Sequence, residues 1–118
     1  ATQNAPPEMS VAHRDHFTSF CRFIRDNLAD SRLDPATVAD AHGVSLRYLH
    51  SVFARNNDSC CNFMRRERLR RCHSDLSSPH CRETITEIAF RWGFNDAAHF
   101  SRAFRTEFGM APKTLRVR

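Results

Sequence analysis

The sequence predicts an all-α fold of about seven helices, and three observations support this prediction. Apolar residues recur every three or four positions along most of the chain, as on one face of a helix. Side chains that cap helices precede most of these periodic stretches. The 118 residues include only 3 Gly and 5 Pro, too few turn-forming residues for a many-stranded β protein. No apolar run approaches the roughly 20 residues that a membrane span needs, so no membrane partner is expected.

Three helices are expected in the first half of the chain. The first covers roughly residues 11–29, where apolar side chains follow the helical period. Asp34 followed by proline predicts a short helix over 35–41, because aspartate caps free amides and proline fits the first helical turn. Ser45 is the expected cap of the third helix, which Asn57 can end by adopting the left-handed conformation.

Four more helices are expected in the second half. A long arginine-rich helix is predicted over residues 59–76, capped by the serine that opens it. Thr84 and Glu87 have the spacing of a capping box, which predicts a fifth helix directly after them. Asn95 is the expected cap of the sixth helix. A short seventh helix is expected over residues 112–116, because proline favours a first helical turn.

Two stretches of the sequence, Leu33–Phe53 and Ile85–Phe104, repeat one order of residue types. In each, an alanine lets two helices cross closely, and a glycine four residues later takes a positive-φ turn. An apolar residue then fills the core, and a capping side chain restarts the helix. This order describes a helix-turn-helix, whose second helix can enter the major groove of DNA. The matched pairs are Ala39 and Ala89, Gly43 and Gly93, Val44 and Phe94, Ser45 and Asn95. Their offset rises from 50 to 51 after the turn, which predicts one extra residue at the start of the second copy's second helix.

Positive charge is concentrated in the last two thirds of the chain and is almost all arginine. The net charge is +5, and Lys113 is the only lysine. Residues 1–40 carry four Arg and six acidic residues, net −2, and residues 41–118 carry fourteen basic and seven acidic residues, net +7. Forked guanidinium donors suit phosphates and base edges, although a solvated basic surface would have the same composition. Arg68 lies on the apolar stripe of the long helix, so it is expected either to be buried and hydrogen-bonded or to extend to solvent.

The cysteines predict neither a disulfide framework nor a metal site. Their number is odd, two are adjacent, and no pair has zinc-ligand spacing. We therefore expect reduced thiols, mostly buried, in a cytoplasmic protein that needs no metal and no cofactor. The five are Cys21, Cys60, Cys61, Cys72 and Cys81.

Two other functions compete with DNA binding. Cys60, Cys61 or Cys72 could be a nucleophile, as in DNA-repair methyl acceptors, but no neighbouring acid–base group would activate any of them. We therefore expect a protein that is not an enzyme. Alternatively, the helices could bind another protein in place of DNA.

Residues from about 13 to 118 resemble the DNA-binding domain of the AraC/XylS family of bacterial transcription regulators. The stretch from Ile85 to Pro112 is similar to the family signature almost position by position. The resemblance implies seven helices in two helix-turn-helix subdomains, over residues 11–58 and 77–118, joined by a connecting helix over 59–76. It also implies an effector-binding or dimerisation domain before this one, with residues 1–10 as the interdomain linker. RNA polymerase is a further partner that the family implies, with activation of transcription as the expected outcome.

The outward faces of the third and sixth helices supply the candidate DNA contacts. On these helices Leu46, Leu49, Val52 and Phe53, and Ala97, Phe100, Ala103 and Phe104, are expected to point inward. The residues left outward coincide with the base-facing positions that the resemblance implies. The candidate base contacts are Arg47, His50, Ser51, Ala98, His99, Ser101 and Arg102. The candidate phosphate contacts are Arg55, Thr84, Asn95 and Arg105.

These residue types match groups in the major groove. Arg47 and Arg102 could each bind guanine O6 and N7 with two hydrogen bonds, and Ala98 could contact a thymine methyl group. Backbone amides at helix starts could bind phosphate. Two recognition helices would need major-groove sites about one turn, or roughly 34 Å, apart.

Overall fold

The computed structural model describes residues 11–116. The linker expected over residues 1–10 lies outside the described residues. Within them, the chain forms seven helices and no strand, which confirms the all-α prediction. None of these helices is both long and apolar enough to cross a bilayer. The helices are α1 Val11–Asp26, α2 Pro35–Ala41, α3 Leu46–Arg55, α4 Cys60–Ser77, α5 Ile85–Arg91, α6 Ala97–Phe108 and α7 Pro112–Arg116.

The described residues divide into two compact units. The first contains residues 11–27 and 33–64, and the second contains residues 28–32 and 65–116. The boundary between Met64 and Arg65 falls inside α4.

The first unit is built from α1, α2, α3 and the beginning of α4. The three shorter helices pack against one another around fully buried apolar side chains. Phe53 contacts Phe17 edge to face, and its ring also lies 5.9 Å from that of Phe63 on α4. The buried apolar side chains of this unit include Phe20, Ile24, Val38, Leu49, Val52 and Phe53.

The second unit has its own hydrophobic core, formed where α4, α5 and α6 meet. The rings of Phe94, Phe100 and Phe104 contact one another in sequence, and His73 of α4 stacks on Phe104. Trp92, which follows α5, donates its indole N–H to Asp75 Oδ2 of α4 at 2.7 Å. The buried cluster is Leu69, Cys72, Leu76, Ile88, Ala89, Phe94, Phe100 and Phe104.

Most of the predicted helix caps are present. The Asp34 carboxylate and the Ser45 hydroxyl accept the amides three residues later, at 2.8 and 3.0 Å. Thr84 and Glu87 form the expected capping box, in which each side chain accepts the other residue's amide. Asn57 has a φ of +57°, so it does take the left-handed conformation just after α3.

The predicted cap of α6 was wrong. Asp96, not Asn95, accepts the His99 amide, at 2.9 Å. The caps Ser45 and Asp96 are therefore 51 positions apart, and the extra residue of the second copy is Asn95, which lies in the turn and not in the helix. Both residue types cap helices well, so the residue types alone do not determine which one does.

Arg68 is held by the segment that follows α1, in the second unit. Its Nε donates to the Leu28 carbonyl at 3.0 Å and its Nη2 to the Asp30 carbonyl at 2.7 Å. Of the two alternatives left by the sequence, the hydrogen-bonded arrangement is therefore present. Partial burial lowers the pKa of the Arg68 guanidinium, and the Asp30 carboxylate opposes that shift.

Candidate nucleic-acid interface

The two predicted turns have the same backbone hydrogen bonds. The Val44 amide donates to the Ala39 carbonyl at 3.1 Å, and the Phe94 amide donates to the Ala89 carbonyl at 3.0 Å. Ala39 and Ala89 are both buried, as close helix crossing requires. The repeat seen in the sequence is thus present in the backbone, once in each unit.

Both turns have a glycine at a positive φ, and in the second turn close neighbours add another reason for it. Gly43 has a φ of +65° with open space where a Cβ would lie. Gly93 has a φ of +95°, and a Cβ there would lie 2.7 Å from both Arg68 Nε and the Leu28 carbonyl oxygen. The second turn therefore needs glycine for its backbone angle and also because its neighbours approach closely.

Helix α3 buries one face and exposes the other. Leu49, Val52 and Phe53 point inward as predicted, each with at most 1% of its surface exposed. Leu46 does not, because 43% of its surface is exposed. It is the first residue of α3, and the core that covers Leu49, Val52 and Phe53 on the later turns leaves it uncovered.

The candidate contacts on α3 differ in how accessible they are. Arg47 and His50 are exposed, and Arg55 is exposed on the last turn with its guanidinium 3.4 Å from His13 Nδ1. Ser51 is half-buried, and its hydroxyl donates to the Tyr48 carbonyl at 2.8 Å. Because that proton is engaged within the helix, Ser51 can only accept a hydrogen bond from a base without rearranging.

Tyr48 joins α3 to α1, a contact that the sequence analysis did not identify. His16 Nδ1 and the Tyr48 hydroxyl form a hydrogen bond of 2.7 Å. The His13 ring stacks on the Tyr48 ring with 5.5 Å between centroids. The signal was available in the sequence, since His13 and His16 are three positions apart and so share one face of α1. These contacts fix the position of the helix turn that also carries Arg47.

Helix α6 has the same two-faced arrangement. Phe100 and Phe104 are buried, and Ala103 is half-buried. Ala97 was expected to point inward but is exposed, because like Leu46 it is the first residue of its helix. The exposed candidate contacts are Ala98, His99, Ser101, Arg102 and Arg105.

The second unit has an open cavity beside α6, lined mainly by polar and charged side chains. Its volume is about 310 Å³, and Leu69 and Ala103 contribute apolar surface to it. Arg65 on α4 lines this cavity together with the predicted base contacts His99 and Arg102. The remaining lining residues are Thr106 and Glu107.

Hydrogen bonds of the caps restrict how the candidate phosphate contacts can act. The Thr84 amide donates to Glu87 Oε1 at 2.8 Å, so a phosphate could bind this amide only by breaking the capping box. The Thr84 hydroxyl could still donate its proton to a phosphate with the capping box intact. The amides of His99 and Ala98 lower the pKa of the Asp96 carboxyl, which therefore stays charged at the start of α6. Asn95, exposed in the turn, retains a side-chain amide that can donate to a phosphate.

Cys60 and Cys72, two of the three candidate nucleophiles, are poorly placed for covalent chemistry. Burial raises the pKa of Cys60 and of Cys72 to about 12, so neither is a thiolate near neutral pH. Cys21 is also buried, and Cys61 is exposed on α4. Among residues 11–116 no group of three or more His, Cys, Asp or Glu side chains could hold a metal ion.

Comparison with known sequences places these features in a family. A family model described as a helix-turn-helix domain matches residues 38–118. The HTH-type transcriptional activator RhaS of Enterobacter sp. (strain 638) is 38% identical over 81 residues, covering 68% of this chain and 28% of RhaS. The transcriptional activator RhrA of Rhizobium meliloti (strain 1021) is 29% identical over 93 residues, covering 79% of this chain and 30% of RhrA. The chain thus spans less than a third of the length of these curated relatives.

Solved structures agree with the sequence comparison. A probable AraC family transcriptional regulator from Rhodopseudomonas palustris CGA009 superimposes with a TM-score of 0.79 at 26% identity, covering 86% of this chain and 94% of that one. The C-terminal domain of AraT, a response regulator from Geobacillus stearothermophilus, gives 0.77 at 26% identity, covering 92% and 85%. The chain therefore belongs to the AraC/XylS family of helix-turn-helix proteins.

Proposed function

We propose that this chain is the sequence-specific DNA-binding domain of a bacterial transcription regulator, with α3 and α6 as its recognition helices. One observation carries the proposal: each unit contains a helix-turn-helix whose second helix buries its apolar face and exposes a polar, arginine-bearing face. The major groove of DNA is wide enough to admit an α-helix, and an exposed polar face of that helix can then contact the base edges.

Base recognition is assigned to the exposed faces of the two helices. Arg47 on α3 and Arg102 on α6 each carry a guanidinium that can bind guanine O6 and N7 together. His50, His99 and Ser101 can donate to or accept from base edges, and Ser51 can accept. Ala98 offers a small apolar surface to a thymine methyl group. The proposed phosphate contacts are Arg55, Thr84, Asn95 and Arg105.

The two helices carry different side chains, so they would read different sequences. We propose that they enter adjacent major grooves about one turn, or roughly 34 Å, apart. One domain would then bind an asymmetric site of roughly 17–20 bp, composed of two unlike half-sites. If the helices lie closer together than one turn of DNA, the duplex would bend at a cost of about 1–6 kcal/mol.

The relatives suggest the wider role. RhaS and RhrA are named as transcriptional activators, so we propose that the full protein activates transcription at the bacterial chromosome, in the cytoplasm. RNA polymerase and an upstream effector-binding or dimerisation domain are the proposed protein partners. No catalytic role is proposed for Cys60 or Cys72, because burial raises the pKa of each thiol to about 12. None is proposed for exposed Cys61, because the sequence places no activating acid–base group beside it.

Selection of bound duplexes from a random pool tests the proposal. We expect one asymmetric consensus, and affinity for it that falls steeply with salt, each neutralised phosphate adding about −0.9 to the log–log slope. The selection is run with and without purified RNA polymerase, to distinguish DNA binding from protein binding. If the domain itself binds DNA, the same consensus is selected in the absence of polymerase. A pool that stays random after repeated selection, or an affinity that does not change with salt, would contradict the proposal.

A further inference from the structure

Leu46 is a large, exposed apolar side chain at the start of α3, at the border between the buried face and the face that carries Arg47 and His50. Four large hydrophobic residues are exposed among residues 11–116: Val11, Leu46, Phe90 and Met110. Of these, Leu46 is the one on a recognition helix, and 43% of its surface is exposed. An exposed leucine is ordinary on a protein surface, so its position has to carry the argument.

That position is the first turn of the recognition helix. The Ser45 hydroxyl accepts the Tyr48 amide at 3.0 Å, which fixes the turn that holds Leu46. The N-terminal residues of a recognition helix are those that contact base edges when it enters the major groove. His50, four residues later, lies on the same edge of α3, so the two side chains would meet neighbouring base pairs.

The chemistry of the major groove limits what Leu46 can contact favourably. All four bases present hydrogen-bonding groups there, and thymine alone adds a methyl group, at C5. Leucine pressed against polar base edges would remove water from them without replacing its hydrogen bonds. Against a thymine methyl it would bury apolar surface on both sides.

We propose that Leu46 is a specificity-determining residue that recognises the methyl group of one thymine in the half-site bound by α3. The inference rests on the proposed function, since it names what one side chain reads on the DNA. The proposed contact distinguishes α3 from α6, because α6 has the much smaller Ala97 at its equivalent first position.

Replacing single thymines by deoxyuridine tests the inference, because this removes the methyl group and leaves base pairing unchanged. With the selected site, each thymine is replaced in turn and the Kd is measured for the unaltered chain and for Leu46→Ala. The unaltered chain should bind about fourfold more weakly when the critical thymine is replaced, the value for one buried methyl-sized group. In Leu46→Ala this ratio should fall to about one at that thymine, whereas a thymine contacted by Ala98 should keep its effect.

Two further variants serve as controls. Leu46→Met keeps a long apolar side chain, so it should retain sensitivity to deoxyuridine. Met110→Ala removes a hydrophobic side chain of similar exposure (37%) from outside the recognition helices and should leave every ratio unchanged. Circular dichroism verifies that each variant is folded, and alanine is well tolerated in a helix.

The possible results separate the two proposals. If the chain selects no sequence, the proposed function fails. If it selects a site but no thymine in it responds to deoxyuridine, or if Leu46→Ala shows the same response as the unaltered chain, DNA binding stands and the role of Leu46 is overturned. A consensus without any thymine would overturn it as well.

Discussion

Gly93→Ala is expected to destabilise the protein far more than a glycine substitution at the same position of the other turn. An alanine at a φ of +95° costs about 1–2 kcal/mol of backbone strain. Its Cβ would also lie 2.7 Å from Arg68 Nε and from the Leu28 carbonyl oxygen, so one of them must move. Losing that charged hydrogen bond costs about 1.5–3 kcal/mol, so the two terms sum to about 2.5–5 kcal/mol. The lower entropy of the unfolded chain of the alanine variant offsets about 0.4–1 kcal/mol of this loss.

Gly43→Ala is the matched control. Gly43 has the same place in the first helix-turn-helix and a φ of +65°, but no atom lies within 4 Å of the Cβ position. Only the backbone strain remains, and the lower entropy of the unfolded chain offsets about 0.4–1 kcal/mol of it. We expect a net loss of about 0–1.6 kcal/mol.

Urea denaturation followed by far-UV circular dichroism measures both losses. Equal destabilisation of the two variants would refute the reasoning, because strain from φ alone would then account for Gly93. A double-mutant cycle gives an independent check: Gly93→Ala should cost less when Arg68 is already alanine, since part of the steric conflict is gone. Strictly additive losses would show that Arg68 is not the neighbour that matters.

Three further predictions concern DNA binding, pH and thiol reactivity. Arg102→Ala should weaken binding to the selected site by about 1–3 kcal/mol and relax the preference at one base pair, measured by gel shift; equal binding of every sequence by both proteins would contradict it. The Asp96 carboxyl has a lower pKa when folded, so its contribution to stability is present above the unfolded pKa and is lost as the pH falls below about 4. In Asp96→Asn the cap is kept but no carboxyl titrates, so the melting temperature of this variant should fall less steeply as the pH is lowered. Parallel curves of melting temperature against pH for the two proteins would contradict this prediction. In the native protein at neutral pH a maleimide should label exposed Cys61 much faster than Cys60 or Cys72, whose pKa is about 12, as peptide mapping would show; uniform labelling would argue against their burial.

The features that the sequence predicted well depend on neighbouring residues. The Ser45 cap and the capping box at Thr84 need only residues three positions apart, and a positive φ at Gly43 and Gly93 follows from the turn itself. The contacts of DNA with the candidate residues stay a prediction.

The features that were mispredicted, or left open, depend on more distant atoms. Helical periodicity assigned Leu46 and Ala97 to the buried face, but the first residue of a helix can extend past the edge of the core that covers later turns. Asn95 and Asp96 are adjacent and both suit a cap, so composition alone could not choose between them. Whether Arg68 is hydrogen-bonded or extends to solvent depends on two carbonyl groups about forty positions earlier in the chain, and no local sequence pattern covers that separation.

The hydrogen bonds of Arg68 constrain how this domain could be divided or recombined. Residues 28–32 belong to the second unit, although the residues on both sides of them belong to the first. A fragment beginning at Arg65 would keep the guanidinium and lose both of its carbonyl acceptors. A hybrid made by joining this second unit to another family member with one crossover would therefore need the donor's 28–32 segment, or a partner that supplies carbonyl groups at the same place.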